Sequence, residues 1–327
     1  MPPKAAITGL GFCVPERVLT NKDLEKMVET SDEWIRTRTG IRERHVAKKG
    51  EGTSDLAAKA SLDALKEAKL KPEDLDLIIC ATSTPDMPLP SCACLVQTKI
   101  GAKRAAAFDL AAACSGFVYA MTVADQFIRT GFYKNILVLG ADVITPYIDW
   151  TDRTTCVLFG DGAGAVVVQA STSGGVLSSV LGSAGEHADL LKIDCGGSRA
   201  PASHETIEQK GHYLKMNGAE VFKLAVRGMA EAVTDALKLA SVKLEDVACF
   251  IPHQANQRII DAIGERLSLP KEKVFVNLDR YGNTSAASCV IALTEAVRAG
   301  KIKKKDKIVF ATFGSGLVWG ALVMEWT

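Results

Sequence analysis

The chain has 327 residues, 47% of them hydrophobic and 24% charged, with a formal net charge of +1. That composition suits a folded chain with a substantial core, built as one large or two smaller domains, and the near-zero charge offers no general attraction to nucleic acid or to an anionic membrane. No stretch reaches the eighteen or more apolar residues of a membrane span, the opening MPPKAAITGLGFCVPERV lacks the unbroken apolar segment of a secretory signal, and nine scattered cysteines read as reduced thiols of a cytoplasmic protein.

The first clear helix is SDLAAKASLDALKEA, 54–68. Ser54 or Thr53 is expected to cap it, with Asp55 at the positive end of its dipole. LIICAT (77–82) follows as an apolar strand without polar alternation, so both of its faces are expected to be covered. Cys92 and Cys94 form a lone C-x-C with no histidine nearby and no second pair, which favours packing over metal. LAAACSGF (110–117) places Cys114 among small residues, ahead of the apolar helix SGFVYAMTVADQFIR. That helix closes on Gly131, ILVLGA (136–141) is a buried strand, and FGDGAGAVVV (159–168) reads as a Gly-rich turn entering a strand. Its GDGAGA is no dinucleotide loop, because a strand and not a helix follows.

The second half repeats the first. DALKEAKLKPEDLDLII (63–79) aligns without a gap to DALKLASVKLEDVACFI (235–251) at an offset of 172, with nine of seventeen positions identical. Each copy reads as a helix end, a short loop and an apolar strand. FIRTG at 127–131 has its likeness in AVRAG at 296–300, ILVLGA in IVFATF (308–313), and FGDGAGAVVV in FGSGLVWGALV (313–323). The alternation predicts an α/β fold of two halves, 1–172 and 173–327, related by a pseudo-twofold axis and fused into one body.

Counting back equally from Gly131 and Gly300 sets Cys114 opposite Asn283, while His253 has Ala81 as its counterpart. All three side chains lie after a strand or before a helix, where ligands gather in α/β sheets. A thiol at a helix start feels the positive dipole, which favours thiolate. A histidine and an amide N–H could add hydrogen bonds, and a thiolate could attack a thioester to form an acyl-enzyme. Each residue also has an ordinary reading: a cysteine as small apolar filler, Gly-Asn as a turn, His253 as a hydrogen-bonded loop residue. His45, His187, His204 and His212 lie in polar or Gly-rich stretches and are expected to be exposed.

TSDEWIRTRTGIRERH (30–45), AFDLAAACSGF, FGDGAG, PHQANQRII (252–260) and GNTSAAS (282–288) occur in this order. With them the chain resembles, nearly end to end, ketoacyl-acyl-carrier-protein synthase III, the initiating condensing enzyme of type II fatty acid synthesis in the thiolase superfamily. The resemblance implies a homodimer with a thiolase-like, five-layered αβαβα architecture and no metal or redox cofactor. It implies that Cys114 takes an acyl group, acetyl being the expected one, from an acyl-CoA. Malonyl-acyl carrier protein then loses carbon dioxide and attacks the acyl-Cys. His253 and Asn283 would hydrogen-bond the malonyl thioester oxygen, and the backbone N–H groups of Cys114 and Ser315 match the oxyanion hole.

By the same resemblance Trp34 and Arg153 would sandwich the CoA adenine, Thr30 would belong to the CoA site, and Arg38 would meet its phosphates. Gly218, Phe222 and Asn256 match the wall of the pantetheine channel. Lys223 and the run Gln254, Ala255, Asn256, Gln257 and Arg258 resemble the acyl-carrier-protein contact, although Lys223 also fits a merely solvated basic face. Many members carry three glycines where this chain has Gly314, Ser315 and Gly316. Leu89 stands where some members have a phenylalanine that narrows the acyl pocket across the dimer, which leaves the primer open. The stretch 195–213 matches no motif and is expected to be a mobile polar loop near the substrate entry. A CoA-bound extender fits PHQANQR less well than a carrier protein does. A thioester hydrolase or a degenerate binding subunit is the reading from a different class, and an intact Cys114, His253 and Asn283 argue against degeneracy.

Overall fold

The computed structural model describes residues 3–327. The chain opens with β1 (Lys4–Cys13), a small ribbon of β2 (Val18–Thr20) and β3 (Glu43–His45), and the intervening helices α1 (Asn21–Leu24) and α2 (Asp32–Thr39). There follow α3 (Thr53–Ala68), β4 (Leu77–Ala81), α4 (Cys92–Ile100), β5 (Ala106–Leu110), α5 (Gly116–Arg129), β6 (Asn135–Asp142), α6 (Arg153–Cys156) and β7 (Gly162–Ser171). The remainder supplies β8 (Gly175–Ser183), β9 (Leu191–Ile193), α7 (His204–Glu208), β10 (Leu214–Met216), α8 (Gly218–Ala240), β11 (Val247–Pro252) and α9 (Gln257–Arg266). It ends with α10 (Leu278–Tyr281), α11 (Ser288–Arg298), β12 (Lys307–Gly314) and β13 (Val318–Glu325).

One sheet has the order β1-β7-β6-β4-β5 and the other β11-β12-β13-β8. Read through the repeat, the second is β4-β6-β7-β1 again, with the fifth strand reduced to a single parallel bridge between Phe250 and Val274. The likeness reaches the backbone. Lys69 and Ser241, at the ends of α3 and α8, both turn left-handed, with φ 56° and 54°, and each precedes a 3-10 turn, at Pro72–Asp74 and Leu244–Asp246.

The strands are apolar on both faces because both faces are covered. α3 and α4 pack on the outside of the first sheet through Leu56, Leu65 and Val96. α8 and α9 cover the second through Val221, Met229, Val233 and Ile263. Between the sheets lie α5 and α11, whose Phe117, Met121, Val290 and Leu293 share one cluster with strand residues of both sheets. The layering is αβαβα. Full burial stabilises each such side chain by about 1.5–3 kcal/mol, which is why the central helices are apolar nearly all round.

Several local expectations change. Gly52, not Ser54 or Thr53, caps α3, and its N–H donates to Asp55 Oδ2 at 2.9 Å. Thr53 and Ser54 point inward and brace the next loop, donating to Thr84 O at 2.5 Å and Asp86 Oδ1 at 2.8 Å. β12 and β13 form a hairpin, but β6 and β7, though antiparallel neighbours, are separated by residues 143–161. Of the four histidines expected at the surface only His204 is exposed; His45, for example, stacks on Tyr281 with ring centroids 5.6 Å apart. The polar stretch 195–213 carries the short helix α7, and the β9–β10 ribbon closes its base. Among the described residues no helix is long and apolar enough to cross a membrane.

Candidate active site

The repeat meets at two strained turns. Ala113–Ser115 leads into α5 and Ser285–Ala287 into α11, and each begins with a left-handed non-glycine residue, Ala113 at φ 44° and Ser285 at φ 51°. The offset is again 172, so Cys114 corresponds to Ala286 and not to Asn283. Counting back from the paired glycines slips because α11 has 11 residues where α5 has 14. A Cβ on Gly140 would come 2.2 Å from Ala286 O, so only glycine lets the second turn lie directly on β6.

Cys114, His253 and Asn283 line a single cavity of about 490 Å³. They do not hydrogen-bond one another. Cys114 Sγ instead approaches Ser285 Oγ at 3.5 Å. His253 Nδ1 lies 2.6 Å from Ser288 Oγ, which also accepts the Gln254 N–H at 3.4 Å. We assign the Ser288 hydroxyl as the donor to Nδ1, which places the imidazole proton on Nε2. Nε2 is buried and has no protein partner. Asn283 is fixed in the same way: its Oδ1 accepts the Ser285 N–H at 2.9 Å, which leaves the amide N–H₂ as its free end. The cavity therefore receives two oriented neutral donors.

Burial governs the titrations. His253 is pushed down from 6.5 to about 4 by desolvation, so it is neutral at physiological pH. The Cys114 thiol is pushed up from 9.0 to about 12, again mainly by burial, with Ser285 pulling the other way. Burial thus opposes the helix start, which favours the thiolate.

Gly314 brings the end of β12 against the nucleophile turn. A Cβ there would stand 2.7 Å from Cys114 N. Ser315 is therefore the next residue past this contact, and both Cys114 and Ser315 line the cavity. The Ser315 hydroxyl donates to Leu191 O at 2.5 Å, so the departure from glycine ties this turn to the β9–β10 ribbon, whose Leu191, Leu214 and Met216 also line the cavity.

The other expected residues divide into three groups. Gly218, Phe222, Ala255 and Asn256 line the cavity. Thr30, Trp34, Arg38 and Arg153 do not; Trp34 packs on the apolar cluster that contains Leu214 and Met216, and Thr30 Oγ1 is buried without a partner. The Arg153 guanidinium lies 4.9 Å from the Trp34 ring centroid. An aromatic base between the two needs about 7 Å, twice a van der Waals contact, so the pair stacks on itself and must part to form a sandwich. At the surface, Lys223 pairs with Glu220 at 2.8 Å, Gln257 donates to Asp261 at 2.8 Å, and Arg258 lies over Phe222.

Gln254 is a correction. It is 1% exposed, its Nε2 donates to Pro252 O and Phe275 O, and its Oε1 accepts the Asn277 N–H, so it holds the loop together from inside and cannot touch a carrier protein. Leu89 is outside the cavity of its own chain and 85% exposed. Three further residues escaped the sequence reading: Ser285 beside the thiol, Ser288 behind His253, and Asp142, fully buried at the end of β6. Ser285 and Ser288 lie inside GNTSAAS, where the only signal was a hydroxyl two and five residues after Asn283.

Comparison with known proteins identifies the family. The family model described as 3-oxoacyl-[acyl-carrier-protein] synthase III matches residues 108–185, and its C-terminal counterpart matches 237–326. The chain is 55% identical over 324 residues to beta-ketoacyl-[acyl-carrier-protein] synthase III of Caldanaerobacter subterraneus subsp. tengcongensis, covering 99% of this chain and 98% of the relative. It is also 55% identical to the protein of that name from Clostridioides difficile, covering 99% of each. The crystal structure of 3-oxoacyl-[acyl-carrier-protein] synthase III from Aquifex aeolicus superposes with a TM-score of 0.92 at 50% identity, covering 98% of this chain and 100% of that one. With this much identity along almost its whole length, the chain belongs to the beta-ketoacyl-acyl-carrier-protein synthase III family.

Proposed function

We propose that the chain condenses a short acyl-CoA, acetyl-CoA in the first instance, with malonyl-acyl carrier protein to give 3-oxoacyl-acyl carrier protein, the first carbon–carbon bond of fatty acid synthesis. The observation that carries this reading is the pair of fixed donors, His253 Nε2–H and the Asn283 amide, in one cavity with Cys114.

CoA enters past Trp34, Arg153 and Arg38, with Thr30 beside them, and its pantetheine arm runs along Gly218, Phe222 and Asn256. Cys114 attacks the thioester carbonyl while the N–H groups of Cys114 and Ser315 hold the developing oxyanion. CoA leaves and the acyl group stays on sulfur. The malonyl thioester then places its carbonyl oxygen between His253 and Asn283. Their donated hydrogen bonds strengthen as decarboxylation moves charge onto that oxygen, so they favour the transition state over the bound substrate. Because His253 is neutral it donates without delivering its proton, and the enolate survives to attack the acyl-Cys. The steps exchange bonds among thioesters and a carboxylate, and we assign no metal or redox cofactor to them.

Lys223, Ala255, Asn256, Gln257 and Arg258 form the face we assign to acyl carrier protein, without Gln254. We also propose a homodimer. β5 pairs only with β4 among the described residues and so presents an open edge, with Phe108, Met87 and Leu89 exposed. An apolar open edge of this kind favours pairing with a second copy, and Leu89 would then reach the partner's acyl pocket. The site of action we propose is the cytoplasm, and the two halves, 1–172 and 173–327, we read as one duplicated unit.

The test is a panel of acyl-CoA primers with malonyl-acyl carrier protein. A 3-oxoacyl-carrier product supports the reading; free acid as the only product points to hydrolysis instead.

A further inference from the structure

Arg44 is fully buried, and its guanidinium ties β2 and the start of α1 to the loop ahead of β7. Nη1 donates to Leu19 O at 3.2 Å and to Asn21 Oδ1 at 2.9 Å, and Nη2 donates to Val157 O at 2.8 Å. All three acceptors are neutral. A buried charge is a costly way to fill space, and an apolar side chain of similar volume often packs in its place without loss. What the guanidinium adds is geometry, because its rigid planar fork fixes where its acceptors lie.

Val157 opens the segment that holds Asn283. Leu158 O accepts the Asn283 N–H at 2.8 Å, and the Asn283 carbonyl accepts the Gly160 N–H at 3.1 Å, a parallel bridge with Phe159 at its centre. Arg44 lies against both flanks of that bridge: a Cβ on Gly160 would stand 3.0 Å from Arg44 Cβ, and one on Gly282 3.3 Å from it. The backbone around β3 grips the same two segments, since the Arg42 N–H donates to Asp279 O and His45 O accepts the Asp161 N–H, both at 2.9 Å. We propose that Arg44 is a positioning residue for Asn283, holding 157–160 in the register that aims the Asn283 amide at the malonyl thioester oxygen. The role rests on the reading of Asn283 as a donor to that oxygen.

The groups assigned to acylation have other supports. Cys114 stands on the turn that Gly314 meets, and Ser315 is tied to Leu191 O. Loss of the Arg44 fork therefore falls on the decarboxylation step, where a donor misplaced by about 1 Å costs about a hundredfold. Its other connection runs through Asn21, whose Nδ2 donates to Asp32 Oδ1 at 2.9 Å, to α2 with Trp34 and Arg38. Acetyl-pantetheine lacks the nucleotide assigned to those two side chains, so acylation by it is blind to any shift of α2.

The experiment measures two half-reactions separately: acylation by acetyl-pantetheine, read by intact mass, and carbon dioxide release from malonyl-acyl carrier protein. The proteins are wild type, Arg44→Met, Arg44→Lys, Asn283→Ala and the double variant Arg44→Met/Asn283→Ala, with urea unfolding as the check on folding. Arg44→Met should lose about ten- to a hundredfold in carbon dioxide release and keep its acylation rate. Added to Asn283→Ala, the same substitution should cost nothing further, because its effect runs through the amide already removed. Arg44→Lys keeps the charge but not the fork, and should show the same split between the half-reactions. Equal losses in both half-reactions, an additive loss in the double variant, or wild-type rates in both Arg44 variants overturns the assignment. So does a chain that folds with neither Met nor Lys at 44, since Arg44 then serves the whole fold. A wild type that acylates but releases no carbon dioxide overturns the condensing reading itself.

Discussion

Lowering the pH should destabilise the protein through one buried imidazole. His253 titrates at 6.5 when exposed and at about 4 in the folded chain. Between those values the unfolded state binds the extra proton, so stability rises with pH across this window. The contribution is fully present above the unfolded value and is lost as the pH falls toward the folded one. At about pH 5 the proton uptake gives the unfolded state close to 2 kcal/mol, against almost nothing at about pH 7.5. Many carboxylates titrate nearby, so the informative quantity is a difference. Unfolding free energies from urea titrations of wild type and His253→Ala, at fixed protein concentration, should move apart by that amount between the two pH values, with the wild type losing more. The pH-independent cost of the deleted side chain cancels. Equal losses in both proteins, or a decarboxylation profile with an inflection near 6.5, would refute a buried neutral imidazole.

Three other outcomes are expected. Gly314→Ala places a methyl 2.7 Å from Cys114 N and 3.1 Å from Ala113 Cβ; it should cost about 1–3 kcal/mol in thermal or urea unfolding and about a hundredfold in acylation as the oxyanion donors shift. Asp161→Ala strands the N–H groups of Ala47, Ile144 and Thr145, which now donate at 2.8–2.9 Å, and a loss of about 3 kcal/mol or more should appear in the same unfolding assay. Leu89→Phe should narrow primer choice toward acetyl-CoA, and because Leu89 lies outside its own cavity, mixed dimers with Cys114→Ala should show the change only on the active subunit facing the substituted chain.

The sequence carried the architecture far because the duplication is written in residues that fix backbone geometry. The helix end, 3-10 turn and strand of 63–79 and 235–251 recur down to the left-handed caps at Lys69 and Ser241. Cys114, His253 and Asn283 were legible as chemistry-bearing types at strand and helix ends. Their register was not, because a helix can shorten by three residues at its far end without disturbing its start. Gln254 misled for a different reason: a polar residue inside a motif reads as surface unless one knows that two carbonyls and an N–H wait for it in the loop. Ser285, Ser288 and Asp142 act through partners more than thirty residues away in sequence, or through a thiol whose environment only burial defines. Thr53 and Ser54 looked like caps because their side chains suit one, yet the tertiary loop at Thr84 and Asp86 competes for both.

The central claim is that Cys114 carries the acyl group to a carrier-bound malonyl unit. Intact-mass analysis after exposure to acetyl-CoA, followed by addition of malonyl-acyl carrier protein, tests it directly. The account predicts a single acetyl adduct on the wild type, none on Cys114→Ala, and its discharge into 3-oxoacyl-acyl carrier protein. An adduct that persists on Cys114→Ala, or one that is discharged only as free acetate, would contradict it.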